Sequence, residues 1–236
     1  MEIIAHIDFA ILDFIQYYIK NDILDIPMKY ITMIGDFAII WIVIAVLLLL
    51  QKSKRKYGVI MVMALVFSLV ICNIILKPTF ERIRPFDVNN EIFDTLLIKP
   101  PTDYSFPSGH TLASFACVAI LLHYNKKRGI FWCVIASLIA FSRIYLYVHY
   151  PTDIIVGIIL GLIIGNISKN LYYFIERKRL KRIFKRNNIL YQREKQMQNE
   201  QEENSNQEKE NNSMTNVDKT DENIEENVEQ EDNEEE

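Results

Sequence analysis

Five stretches of the chain, residues 28–50, 57–76, 112–122, 130–146 and 154–175, are apolar almost throughout and nearly free of charge. Their apolar residues form runs with no amphipathic spacing, so each reads as a helix that is hydrophobic on every side. A bilayer core needs about 20 apolar residues of helix, and most of these runs are long enough to span one. The run at 112–122 is short, but it becomes adequate when extended from Ser108 to Tyr124. Residues 3–20 are mixed. His6, Asp13, Gln16 and Lys20 share one helical face, with Ile, Leu, Phe and Tyr around the remainder. Such a helix either lies in the interface or spans with its polar stripe turned toward other helices, and the spanning reading gives six helices in all. The pattern predicts an all-α polytopic membrane bundle whose spans form one domain over residues 1–175, with no separate soluble core.

The charges between the runs orient them. Lys52, Lys54, Arg55 and Lys56 follow the first long run, Lys126, Lys127 and Arg128 mark a later turn, and Arg177, Lys178, Arg179, Lys181, Arg182, Lys185 and Arg186 follow the last. These clusters fall on alternate connections, so the excess of Lys and Arg on cytoplasmic loops places all three inside. The long connection 77–106 and the turn 147–152 then both face outside. A basic juxtamembrane segment covers 176–186, and from 187 to 236 the chain is Glu, Asn, Gln, Lys and Ser with almost no apolar content. Residues 191–236 hold 17 acidic against 4 basic side chains, whereas 1–190 hold 13 against 22. That composition predicts a disordered, acidic, cytoplasmic tail. Cys72, Cys117 and Cys133 all lie inside apolar runs, which predicts three free packing thiols. Glu2, His6, Asp8 and Asp13 interrupt the first apolar stretch and set it apart from a cleavable signal peptide. Gly157, Gly161 and Gly165, at spacing four, form a small-residue stripe that lets another helix approach closely.

Three polar groups collect on the predicted outer side. Lys77, Arg82, Arg84 and Pro85 follow one span; residues 104–111, reading Tyr-Ser-Phe-Pro-Ser-Gly-His-Thr, lead into the next; residues 142–153, reading Ser-Arg-Ile-Tyr-Leu-Tyr-Val-His-Tyr-Pro-Thr-Asp, join the last two. Singly, each basic residue has a plain explanation, since Lys and Arg near span ends snorkel to headgroups. Together they describe an oxyanion site. Lys77, Arg84 and Arg143 supply a point charge and two forks suited to phosphate. Ser108 and Gly109 before a helix offer a hydroxyl and backbone N–H groups at a helix N-terminus. His110 and His149 suit a two-step phosphoryl transfer, one as nucleophile and one as acid. Asp153 would repel a phosphate if it stood alone, so it makes sense as the partner of a histidine. Pro151 suits the first turn of a new helix.

Lys77-x6-Arg84-Pro85, Pro107-Ser108-Gly109-His110 and Ser142-Arg143-x5-His149-x3-Asp153 resemble the three signature motifs of the type 2 phosphatidic acid phosphatase (PAP2) superfamily, in the family's order and over roughly residues 1–175. The resemblance implies a six-helix membrane core and a metal-independent lipid phosphatase or diphosphatase without cofactor. It implies that His149 attacks phosphorus to form a phosphohistidine, that Asp153 holds its ring, and that His110 protonates the leaving oxygen and then activates water. Lys77, Arg84, Arg143, Ser108 and Gly109 would bind phosphate oxygens, with Arg82 in a secondary role. The expected partners are a lipid phosphate and the membrane, not nucleic acid, with homo-oligomerisation left open. The expected location is the bacterial plasma membrane, with the site extracytoplasmic. Undecaprenyl diphosphate is the favoured substrate by analogy with short bacterial members; phosphatidic acid and phosphatidylglycerophosphate are the alternatives within the enzyme class. A non-catalytic headgroup binder would not need the histidines and Asp153 together. A vanadate-dependent oxidase would not need a membrane, and a transporter would carry ionisable groups deep in its spans, where only Asp36 qualifies.

Overall fold

The computed structural model describes residues 2–232, with side chains described except at Glu2, Asn90, Glu91, Glu200 and 202–232. Among the described residues the structure is all-helical. α1 (Glu2–Phe14) ends in a π-turn, Ile15–Ile19; α2 (Asp22–Gly35) and α3 (Ile39–Leu50) flank a break at Asp36–Ala38. α4 (Arg55–Leu69) continues through a π-helical stretch, Val70–Leu76, into Lys77–Phe80. Two single-turn helices, Pro85–Val88 and Asn90–Phe93, precede an irregular segment, and α5 (Gly109–Tyr124), α6 (Lys126–Tyr145) and α7 (Pro151–Asp232) follow. The six expected helices are present, with the second broken in two.

Four helical stretches are long and apolar enough to cross a membrane by length and composition: Asp22–Leu50, Arg55–Val88, Lys126–Tyr145 and Pro151–Asn199. α5 is a shorter apolar helix. α1 buries Asp8, Leu12 and Ile15, one stripe at helical spacing. Two of the polar residues read from its sequence reach the chain around residues 145–147. Gln16 Nε2 donates to the Tyr145 carbonyl at 2.8 Å, and Asp13 accepts from the Tyr147 hydroxyl at 3.1 Å. Asp13 and Gln16 of the polar stripe thus bond to the α6–α7 connection, with Gln16 partly buried, while Asp13 and His6 stay exposed.

Local chemistry explains most boundaries. Asn21 caps α2, its side chain accepting from the Ile23 and Leu24 N–H groups, and Asn125 caps α6 by accepting from Arg128 N–H. The break after α2 departs from the continuous helix expected over 28–50. Phe37 and Ala38 sit at φ 49° and 56°, left-handed values that cost an L-residue with a side chain about 1 kcal/mol or more each. The break turns Asp36 out of the helical ladder, and its carboxylate finds His110.

Two apolar clusters hold the chain. One joins α3, α4, α5 and α6 through Trp41, Ile60, Leu112, Ile120 and Ile139, with Trp41 Nε1 donating to Ser114 Oγ at 2.9 Å. The other joins Leu12, Ile15, Met28 and Phe86 to Tyr145, Leu146, Tyr147, Val148 and Tyr150, fixing the connection between α6 and α7. The glycine stripe of α7 lies against α5: a Cβ at Gly161 would stand 2.5 Å from the Leu112 carbonyl oxygen, and one at Gly165 would press on the Ala116 carbonyl.

The Cα packing separates two compact units, the second beginning at Ile175. In that second unit every described side chain from Arg177 to Asn199 is exposed. Beyond 187 the backbone is helical to Asp232. Glu, Gln and Lys are good helix formers, and helical hydrogen bonding requires no apolar core.

Gly161→Val should lower the stability of detergent-solubilised protein by about 2 kcal/mol or more, because an intruding side chain meets backbone that cannot move aside. A melting temperature equal to that of the parent would refute the close α5–α7 contact.

Candidate active site

The α6–α7 connection is built by its own backbone. α6 ends as Leu146 N–H bonds Ser142 O, and both Val148 and His149 N–H groups turn back to Arg143 O at 3.1 and 3.3 Å. Tyr147 takes φ 59°, the left-handed turn that reverses the chain. α7 then opens with Pro151, and Asp153 reaches back so that Oδ2 accepts the Tyr150 N–H at 3.0 Å. That is the reciprocal half of a capping box with an Asp in the Glu position. Helix-start chemistry therefore places the Asp153 carboxylate beside His149, four residues earlier.

Asp153 is fully buried and its oxygens are well supplied with donors. Arg82 Nη1 donates to Oδ1 at 2.6 Å and Ser105 Oγ to Oδ2 at 2.5 Å, while His149 Nδ1 stands 3.4 Å from Oδ2. On the far side of the ring, His149 Nε2 is 3.3 Å from Arg84 Nη1. A guanidinium only donates, so Nε2 is the unprotonated nitrogen and Nδ1 carries the hydrogen toward Asp153. The ring is 1% exposed. Burial first, and then Arg84, Arg143 and Lys77, push the His149 imidazolium well below its ordinary pKa of 6.5. At neutral pH the imidazole is uncharged, with its lone pair on the side facing the cations.

Those cations come from three elements. Lys77 ends the π-helical stretch of α4, Arg84 precedes Pro85, and Arg143 lies in the last turn of α6; all are buried, at 7%, 2% and 3% exposure. Arg84 Nη1 donates to Val148 O at 2.7 Å and Nε to Asp103 O at 2.7 Å. Arg143 Nη1 donates to Thr32 Oγ1 at 2.5 Å, while its Nε has no partner, one of two such buried side-chain atoms among the described residues. An unsatisfied buried donor is costly. This one lies among groups that suit an oxyanion.

The N-terminus of α5 completes the cluster. Ser108, fully buried, is the N-cap, but its side chain makes no cap bond; its Oγ accepts from Thr111 Oγ1 at 3.0 Å. At Gly109 φ is not left-handed, and an added Cβ would meet Cys72 Sγ at an ordinary 3.5 Å, so neither backbone conformation nor crowding by the protein demands glycine there. His110, on the first turn, has Nε2 2.8 Å from Asp36 Oδ1. A Cβ on Gly35 would fall 2.9 Å from the His110 ring, so the end of α2 is pressed against it.

The structure thus brings Lys77, Arg84, Ser108, Gly109, His110, Arg143, His149 and Asp153 to one end of the bundle. It also brings residues to which the sequence reading gave no catalytic or binding role, or only a secondary one. Asp36 partners His110, and its being a lone acid within an apolar run was the available signal. Ser105, in the quoted 104–111 stretch, ties Asp153 from outside. Asp103 ion-pairs with Lys77 and with Arg84. Arg82, given a secondary role, bridges Asp153 and the fully buried Asp8 of α1, at 2.6 Å to each, and lies 3.9 Å over the Tyr150 ring. Asp8 also accepts from Thr152 N–H and hydroxyl. Nothing in the spacing along the chain points from Asp8 to Arg82, 74 residues away. Burial alone would raise the Asp103 carboxyl, but Lys77 and Arg84 more than offset it and hold it at about 2. No group of His, Cys, Asp and Glu among the described residues has metal-holding geometry.

This six-helix membrane bundle, with a buried cluster of cations around two imidazoles, defines a class of membrane protein that the comparisons identify. The model of the PAP2 superfamily matches residues 56–177, more than half of the chain, and the chain belongs to that superfamily. It is similar to an undecaprenyl-diphosphatase of Sulfolobus acidocaldarius, 39% identical over 131 residues that cover 55% of this chain and 62% of the relative. It is also similar to a lipid A 4'-phosphatase of Bacteroides thetaiotaomicron, 33% identical over 132 residues, 54% of this chain and 57% of the relative. The chain therefore spans about three-fifths of the length of these two curated relatives. Among solved structures it resembles a transmembrane PAP2-type phosphatidylglycerolphosphate phosphatase from Bacillus subtilis, with TM-score 0.60 and 28% identity over 74% of this chain and 89% of that one. The protein is an integral membrane protein.

Histidine-selective NMR of detergent-solubilised protein should show no titration of His149 above pH 6, because its imidazolium is disfavoured and the neutral ring persists as pH falls. A His149 resonance titrating at 6.5 or higher would contradict the buried, cation-facing environment.

Proposed function

We propose that the protein is a metal-independent lipid phosphatase or diphosphatase working through a phosphohistidine. The observation that carries this reading is the pairing of a neutral, oriented His149 with Arg143, whose Nε is buried without a partner. A cation pocket alone would serve a headgroup binder, but binding needs neither a nucleophile nor its orienter. In the first step His149 Nε2 attacks phosphorus and the bond from phosphorus to the leaving oxygen breaks, with His110 giving that oxygen its proton. Asp153 supports the positive charge that the ring acquires. In the second step His110 takes a proton from water, the hydroxide attacks the phosphohistidine, and inorganic phosphate leaves with the His149 ring restored. Lys77, Arg84, Arg143, Ser108 Oγ and the Gly109 N–H hold the equatorial oxygens, where charge is spread in the transition state.

For the substrate, undecaprenyl diphosphate is the best match, with phosphatidic acid and phosphatidylglycerophosphate as alternatives. Support comes from the name of the Sulfolobus relative and from the charge pattern of the loops, which puts the site on the extracytoplasmic side and the C-terminal tail in the cytoplasm. The relatives named for lipid A and phosphatidylglycerolphosphate differ in the lipid that their names give.

Purified protein in detergent with EDTA should release phosphate from at least one of these lipids, and His149→Ala should lower the rate by about a thousandfold or more. The ratio of kcat/KM between undecaprenyl diphosphate and the glycerolipids names the substrate. Release equal to that of His149→Ala on every lipid would leave the headgroup-binding reading in its place.

Asp36 should act through His110. Asp36→Asn is expected to slow hydrolysis of a lipid monophosphate, whose alkoxide needs a proton, by roughly ten- to a hundredfold, and of p-nitrophenyl phosphate, whose phenolate leaves unaided, by much less. Equal losses on both would assign Asp36 to the fold and not to positioning the acid.

A further inference from the structure

Four cations and four carboxylates meet at the site: Lys77, Arg82, Arg84 and Arg143 against Asp8, Asp36, Asp103 and Asp153. The four carboxylates cancel the four cations, so an entering phosphate dianion meets at most the one positive charge that His110 carries as the acid. Three of the carboxylates have other work. Asp8 and Asp153 are fully buried and share Arg82, and Asp36 holds His110. Asp103 differs in every respect. It is 51% exposed at its side chain, sits on the irregular stretch between Lys99 and Ser108, and spends its oxygens on the two cations, Lys77 and Arg84, that lead toward His149. Arg84 is saturated by that arrangement: Nε goes to the Asp103 carbonyl, Nη2 to its Oδ1 at 2.6 Å and to Tyr104 O at 3.5 Å, and Nη1 to Val148 O and toward His149 Nε2 at 3.3 Å. Arg143 Nε is left as the unused side-chain donor.

We infer that Asp103 is an internal competitor for the phosphate seat, a carboxylate that occupies Lys77 and Arg84 in the resting protein and must swing out when a phosphoryl group enters. This rests on the reading of Lys77, Arg84 and Arg143 as a phosphate seat. A carboxylate spreads one charge over two oxygens, whereas a phosphoryl group presents three oxygens and more charge, enough to take both cations and reach Arg143 as well. The competition discriminates by charge. A diphosphate displaces Asp103 more readily than a monoanion does, and after the second step the returning carboxylate helps to expel inorganic phosphate. Asp103 is thus a specificity-determining residue for highly charged headgroups. The side chain is half exposed and the segment carrying it is non-helical, so the swing costs little packing.

Orthovanadate, a phosphate mimic, tests this by calorimetry on the intact protein in detergent with EDTA, where no turnover is needed. Asp103→Asn removes one charge and nearly no volume, and it should bind orthovanadate on the order of tenfold tighter, the effect of freeing two partly screened charge-assisted bonds. Asp103→Ser should do the same. In lipid assays both variants should lose preference for the diphosphate over the monophosphate. Equal or weaker vanadate binding in both variants would overturn the inference and make Asp103 a brace that orders Lys77 and Arg84. A structure of the parent protein with vanadate bound and Asp103 still on both cations would overturn it too. Tighter vanadate binding without hydrolysis of any lipid would leave the competitor standing and remove the phosphatase reading. Hydrolysis abolished by His149→Ala, without tighter binding in the Asp103 variants, would do the reverse.

Discussion

The constraint on which this structure turns is the cost of keeping cations buried. Lys77, Arg84 and Arg143 are each less than a tenth exposed, close enough together to depress the charge of His149. A pocket that is to bind an anion has to hold such charge before the anion arrives, and an unpaired buried charge is among the costliest things a fold can contain. Here carboxylates meet part of it: Asp103, before α5, pairs with Lys77 and Arg84, and Asp8 of α1 and Asp153 of α7 pair with the neighbouring Arg82, while Arg143 has the Thr32 hydroxyl. Each element that contributes one is thereby fastened to the site.

Several local oddities follow from that requirement. The left-handed Phe37 and Ala38 interrupt an otherwise ordinary apolar helix, yet the interruption is what presents Asp36 to His110. α1 carries an acid, Asp8, on its buried face, which would be unfavourable without Arg82 and Thr152 to receive it. Arg82 in turn lies over the Tyr150 ring and holds Asp153, so the first helix is coupled to the ring of His149 through two ion pairs. Strain and buried charge are concentrated where the chemistry is proposed and absent from the plain apolar packing of Trp41, Leu112 and Ile139 below it.

The close approach of α7 to α5 serves the same end. Gly157, Gly161 and Gly165 let the backbone of α7 lie on the first turns of α5, so that Ser108, at the head of one helix, receives the Asp153 carbonyl of the other, Ser108 N–H donating at 3.3 Å. Two helix N-termini are thus brought side by side, one carrying Ser108, Gly109 and His110, the other Asp153.

The sequence by itself determined the helices and named the candidate residues of the site. Long apolar runs have one stable form in a bilayer, the hydrogen-bonded helix, and residues with phosphate chemistry are recognisable by type and spacing when they lie within a few positions of each other: Lys77 to Arg84, Ser108 to His110, Arg143 to Asp153. Turn chemistry was legible too, in Pro151. Only the tertiary structure decided which acids pair with which bases. Asp8 with Arg82, Asp36 with His110 and Asp103 with Lys77 are joined across 26 to 74 positions, and a Coulomb interaction carries no periodicity that a linear pattern could reveal. The break at Asp36 was not legible either: Phe37 and Ala38 have no local preference for left-handed backbone, and the Asp36 carboxylate beside them pairs with His110, 74 residues away.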